Sequence, residues 1–269
     1  MADKTAEQQW QYLLSGKFRE DAKPSPLRFV PANPRCKLCA APFRAPGALL
    51  FRRLGFQPWE KNPRICGRCF HYLEMESRRC PGPTDGHNVA GAEVELSMLF
   101  ADVRGSSKLA RQMPASEFTR LMSRFYDVSK EILFDADAIV EKFVGDEVVG
   151  LFLPFMTGPQ HARRAIDTAA ELLAATGHGA DDGPWAPLGA AVHTGRAFVG
   201  IVGSGGSSDF TALGDPMNVT AHLAAQAGVG EILVTPDAMG AAGRPTGVLE
   251  HRELSLKGHP MDAFVLPVS

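Results

Sequence analysis

The sequence has no long apolar run. Its longest uncharged stretch of that kind, Val148–Met156, covers nine residues, against the ~20 that a membrane-spanning helix needs. No membrane span is expected. The first ten residues, MADKTAEQQW, lack the apolar core of a secretory signal, so a cytoplasmic location is the expectation. Internal repeats and long low-complexity tracts are also missing. With 45% of its 269 residues hydrophobic, the chain can bury a sizeable core, which excludes wholesale disorder. Cysteine is absent beyond residue 90: all five, at positions 36, 39, 66, 69 and 80, precede it. Without a signal segment they do not read as a disulfide framework.

The net charge of −2 conceals an asymmetry. Residues 1–90 carry 15 Lys and Arg against 8 Asp and Glu, whereas residues 91–269 carry 13 against 22. A basic, Cys-bearing part therefore precedes an acidic, Cys-free one, joined by the turn-rich segment PGPTDGHNVAG at 81–91. The expected division is a helical segment over 1–30, a Cys-rich module over 31–85 and a catalytic-sized domain over 91–269.

Within the module, Cys36-Lys-Leu-Cys39 and Cys66-Gly-Arg-Cys69 are separated by 26 residues. Two residues between thiolates let both sulfurs face one ion, and two such turns complete a tetrahedral site. Structural Zn²⁺ on Cys36, Cys39, Cys66 and Cys69 is the expectation. An iron–sulfur or redox site is the alternative, with Cys80, His71 and His87 as further ligands. About 50 residues hold too little core, so the module should depend on its metal to fold. Its basic surplus reads as a solvated face, or one that docks on the acidic part, rather than a nucleic-acid surface. Residues 5–20 read as a helix, whose stripe of Trp10, Leu13, Leu14 and Phe18 serves packing.

The acidic part reads as alternating strands and helices. Val94–Ala101 is a predicted strand ending at Asp102, and 116–134 a helix with Phe118, Leu121, Met122, Phe125, Val128 and Ile132 at three- and four-residue spacing. Residues 138–144 and 147–153 read as strands joined by the hairpin turn Gly145-Asp146, and 160–175 as a second helix. Strands are expected at 188–193, 197–202, 208–212 and 231–234, a helix at 217–227, and two more strands at the end. The order βαββαβ is the ferredoxin-like unit of an α+β fold, an antiparallel sheet with helices on one face.

In that topology Asp102 and Asp146 project from the same edge of adjacent central strands. Such a pair suits two divalent cations over a triphosphate. Backbone N–H groups of Gly105, Ser106 and Ser107, where a helix starts, would receive phosphate oxygens. His193 reads as a structural residue at a strand end, the glycine run at 203–206 as a hairpin tip lacking the Lys of a phosphate loop, and Arg163-Arg164 as solvent-facing.

Three segments carry a resemblance: Phe100-Ala-Asp102-Val-Arg-Gly105, Lys142-Phe-Val-Gly145-Asp146 and Thr211-Ala-Leu-Gly214-Asp-Pro-Met-Asn218. In order and spacing they resemble the signature segments of class III nucleotidyl cyclases, over essentially all of residues 91–269. The resemblance implies a nucleotidyl cyclase domain, acting as a head-to-tail homodimer with active sites at the interface. It also implies two Mg²⁺ or Mn²⁺ ions per site on Asp102, the Val103 backbone and Asp146 of one subunit. Lys142 and Thr211 of the other would read the base, Asn218 position the ribose and Lys257 contact the phosphates. Thr at position 211 resembles the bacterial subgroup related to bicarbonate-responsive cyclases.

Adenine offers an acceptor at N1 and a donor amine at N6. A Lys ammonium only donates and a Thr hydroxyl can accept, so Lys142 and Thr211 complement adenine, and guanine mismatches both. ATP is the expected substrate, converted to cyclic AMP and pyrophosphate. One departure bears on rate. Where the family usually has Arg four residues after the Asn, this chain has His222. An imidazole is mostly neutral at pH 7 and cannot clamp bidentately. A slow cyclase, a heterodimer with an Arg-bearing cyclase, or a nucleotide-binding regulatory pseudocyclase all follow from that exchange.

Overall fold

Gly16 interrupts the first helical pattern: its φ of +79° bends the chain, so residues 5–20 form α1 (Ala6–Leu14) and α2 (Phe18–Asp21) rather than one helix. The computed structural model describes residues 5–21, 33–43, 48–71, 90–203, 209–256 and 259–267. They fall into two compact units, residues 1–94 with 198–212 and residues 95–197 with 213–269. Among the described residues no helix is long and apolar enough to cross a membrane.

In the first unit, α1 is opened by a capping box between Thr5 and Gln8. It is followed by α2, α3 (Ala48–Arg53), and the hairpin β1 (Pro58–Trp59) and β2 (Asn62–Cys66). The buried side chains Trp10, Leu14, Phe43 and Ile65 form its small core. Strand β3 (Ala90–Val103) begins here and continues into the second unit.

The second unit follows with α4 (Ser106–Gln112), α5 (Ala115–Asp135), β4 (Ile139–Val144), β5 (Glu147–Phe152), α6 (Pro154–Thr157) and α7 (His161–Ala175). Then come β6 (Leu188–Val202), β7 (Asp209–Leu213), α8 (Asp215–Gln226), β8 (Glu231–Val234), α9 (Pro236–Ala242), β9 (Glu250–Leu256) and β10 (His259–Pro267). The sheet order is β4-β5-β3-β6-β8-β10-β9, with β7 paired to β6.

Three expectations are corrected. The sheet is mixed, because α8 is a crossover between β6 and β8, which pair in parallel. Helices cover both faces. Leu99, Ala101 and Val103 share a core with Phe125 and Leu133 of α5, Ile166 and Leu172 of α7, and Met239 of α9. Side chains alternate along a strand, so Met98 points the other way, where its sulfur accepts a hydrogen bond from Thr220 of α8 (4.0 Å). Finally, 188–202 is one strand, not two. Its polar middle is satisfied internally: Thr194 Oγ1 meets Ser97 Oγ at 2.6 Å, and Ser97 Oγ meets His161 Nδ1 at 2.9 Å. His193 Nδ1 meets Thr235 Oγ1 at 2.9 Å. Burial, the main cause, holds both imidazoles below their ordinary pKa, which favours the neutral form.

Candidate functional site

The β3–β5 register pairs Asp102 with Glu147, which puts Asp146 one residue beyond the ladder and next to the end of β3. Gly145 permits this: at the first central position of the two-residue turn it takes φ +61°, a conformation that disfavours L side chains. The N–H of Val103 donates to the Asp146 carbonyl (3.0 Å), and Tyr126 of α5 donates to the Gly145 carbonyl. Ser106, following Gly105 at φ +70°, donates its hydroxyl to Asp146 Oδ2. The strand therefore extends through Asp102, which had been expected just past its end.

Asp102 lies on the α8 face of the sheet. Its Oδ2 pairs with Arg104, in the turn that follows β3. Arg104 also donates to the carbonyls of Ala225 (3.0 Å) and Ala227 (3.5 Å) at the end of α8. Asp102 Oδ1 is buried and has no hydrogen-bond partner among the described residues. Burial pushes the neighbouring Glu147 carboxyl up, with Asp146 adding to it and Lys142 and Arg104 opposing. Asp102, Asp146 and Glu147 thus exceed the cations beside them, and a buried acceptor is left over. Hard divalent cations take such oxygen donors, so these residues fit Mg²⁺ or Mn²⁺.

Lys142 follows a bulge in β4, where the register shifts between Val140 and Lys142. Bulges re-aim side chains. Glu141 is buried, Lys142 is half exposed, and their charged heads meet at 3.2 Å. Asn218 is exposed and His222 half-buried on α8, i and i+4 and so on one face. Among the described residues, neither makes a side-chain hydrogen bond or ion pair with Asp102 or Asp146. Thr211 sits on β7 in the first unit, and Lys257 lies outside the described residues. One chain thus brings together Asp102, Val103, Asp146 and Gly105–Ser106. Arg104, Glu141, Glu147 and Tyr126 were missed by sequence reasoning. Arg104 had a signal, its place two residues after Asp102; the others depend on register and burial.

The cysteines of the first unit form a second cluster. All four sulfurs lie within 4.8 Å of one another, with Cys36–Cys69 at 3.9 Å and Cys39–Cys66 at 3.7 Å. Zn–S bonds of about 2.3 Å in a tetrahedron put sulfurs about 3.8 Å apart. None of the four is in a disulfide. The first turn closes with Ala40 at φ +60° and its N–H on the Cys36 carbonyl (2.9 Å). Backbone N–H groups of Cys66 and Cys69 donate to the sulfurs of Cys36 and Cys66 (3.3 and 3.4 Å). Hydrogen bonds from Cys39, then Cys66 and Cys69, hold the Cys36 thiol far below its usual range, and donation to Cys36 pushes Cys66 and Cys69 up. The donor set suits a thiophilic ion. Cys80 and His87 lie outside the described residues.

A family model, the adenylate and guanylate cyclase catalytic domain, matches residues 90–267. The solved guanylyl cyclase Cya2 is similar at 21% identity and TM-score 0.58, over 65% of this chain and 91% of that one. The adenylyl cyclase CyaB from P. aeruginosa is similar at 23% identity and TM-score 0.56, over 65% and 95%. These are likenesses of fold. The Mycobacterium tuberculosis proteins Rv1320c and Rv1319c are 29% identical over 136 residues and 26% identical over 157. The matched stretch is 50% and 57% of this chain but only 23% and 29% of theirs, so the chain spans under a third of the length of these curated relatives.

Proposed function

Since the chain belongs to the adenylate and guanylate cyclase catalytic-domain family, we propose that it is an adenylyl cyclase, converting ATP to 3′,5′-cyclic AMP and pyrophosphate at the interface of a head-to-tail homodimer. Its mixed α+β fold is that of nucleotidyl cyclases. The observation that carries the reading is the buried Oδ1 of Asp102 beside Asp146, which has no partner among the described residues.

Two Mg²⁺ or Mn²⁺ ions on Asp102, the Val103 backbone and Asp146 would neutralise the triphosphate and raise the nucleophilicity of the ribose 3′-hydroxyl. Ser106 orients Asp146, and the backbone of Gly105, Ser106 and Ser107 receives phosphate oxygens. Lys142 donates to adenine N1, and Thr211 accepts from N6. Asn218 holds the ribose so that its 3′-hydroxyl lies in line with the α-phosphorus, and Lys257 contacts the leaving phosphates. Positioning and charge stabilisation supply most of the acceleration. As in the family it resembles, the site is completed by a second subunit. The protein acts in the cytoplasm.

Purified protein with ATP or GTP and Mn²⁺ provides the test. Cyclic AMP should form with kcat/KM at least about tenfold above that for cyclic GMP; equal rates, or a preference for GTP, would overturn the base assignment. His222 favours one second reading, a pseudocyclase that regulates or pairs with an Arg-bearing cyclase. Its signature is silence alone and activity on mixing with such a partner.

Residues 31–85 form a zinc module on Cys36, Cys39, Cys66 and Cys69, supported by the near-tetrahedral sulfur spacing. Metal analysis should find about one zinc per chain. Cys66→Ser should lose it and expose residues 33–71 to protease; iron, or a protected metal-free module, would refute the assignment.

A further inference from the structure

Within the unit of residues 1–94 and 198–212, chain adjacency and ring and polar contacts together join the cysteine cluster to β7. Phe70, next to Cys69, stacks on Trp59 with centroids 4.3 Å apart and rings 14° from parallel. Both rings meet Phe210 of β7 nearly edge-on, each at 5.7 Å, a favoured aromatic geometry. Lys61, at the tip of the β1–β2 hairpin whose far end is Cys66, donates to the Phe210 carbonyl (2.9 Å) and pairs with Asp209 (2.7 Å). The Lys61 side chain is 13% exposed and Phe210 only 3%, so water competes weakly for the bond to the Phe210 carbonyl, whereas Asp209 is exposed. Thr211 is the next residue.

Strand β7 needs such support. It is five residues long and pairs only with β6 among the described residues. Paired on one side only among the described residues, it has no second ladder of hydrogen bonds to hold its register.

We propose that the tetracysteine module is a positioning element for the base-reading strand. Metal on the four sulfurs fixes the Cys66–Cys69 turn, which fixes Phe70 and the hairpin tip. These grip Asp209 and Phe210 and so set the Thr211 hydroxyl. Metal occupancy then governs discrimination between ATP and GTP, and Lys61 and Phe210 are positioning residues for it. The inference rests on the reading of Thr211 as a base contact.

Amide hydrogen exchange on the full chain tests the link without reference to activity. Stripping zinc with a thiol-competing chelator should speed exchange at 209–213 by at least about tenfold, with 231–234 unchanged. Lys61→Met, with zinc retained, should produce the same local effect, and Lys61→Arg should restore protection. In kinetics, Lys61→Met should lower the ATP-over-GTP ratio of kcat/KM by about tenfold, as Thr211→Ala should directly. Unchanged exchange at 209–213 after both zinc removal and Lys61→Met overturns the coupling. Discrimination that survives Thr211→Ala overturns the base-reading premise instead, so the two failures are read from separate measurements.

Discussion

Asp102→Asn is expected to lower cyclic AMP formation by at least about 10³-fold, since a metal clamp on a transferring phosphoryl group supplies a large share of the acceleration. Asn is nearly isosteric, so β3 keeps its ladder with β5 and the loss is one of charge. The folded protein should be little destabilised. Asp102 Oδ1 is a buried acceptor without a partner among the described residues, and removing its charge relieves a desolvation cost. Opposing this, Arg104 loses its ion-pair partner, although its bonds to the Ala225 and Ala227 carbonyls remain. Calorimetric titration with Mn²⁺ and an unhydrolysable ATP analogue should show weaker metal binding by the variant, with a melting temperature near that of wild type. Activity within tenfold of wild type would remove Asp102 from the machinery.

His222→Arg should act in the opposite direction. Arginine brings a permanent charge and a planar fork suited to phosphate oxygens. Comparable arginines in phosphoryl transfer are worth about 10³–10⁵ in rate. A gain of at least about tenfold in kcat at pH 7, with KM for ATP little changed, is the expected signature of an interaction made only in the transition state. His222 is half-buried on α8, one turn from Asn218, so the longer side chain can extend from a helix that stays in place. An equal or lower kcat would show that residue 222 does not face the reacting phosphates. If the wild type is silent while His222→Arg is active, the regulatory reading of the natural chain gains its mechanism.

Long periodic elements were legible because burial pattern and chain period agree. Met122, Phe125 and Ile132 of α5 are buried, and Phe118, Leu121 and Val128 pack against the core. The glycine turn before Asp146 was legible for a steric reason. The continuity of β6 was not: Thr194, Gly195 and Arg196 look like a loop, and it is Ser97, His161 and Thr235 that make the buried polar positions tolerable. Helix α9, seven residues, is too short for periodicity to reveal.

From its order of residues alone, this chain specifies paired CxxC turns, an aspartate near the end of one strand and another in a two-residue glycine turn. Those features are local, fixed by spacing and backbone sterics. Tertiary structure alone decided that one Asp102 oxygen has no partner among the described residues, that β6 and β8 run in parallel, and that Trp59, Lys61 and Phe70 meet the strand bearing Thr211. Each of these joins residues remote in sequence or depends on burial, and neither register nor desolvation exists until the sheet is assembled.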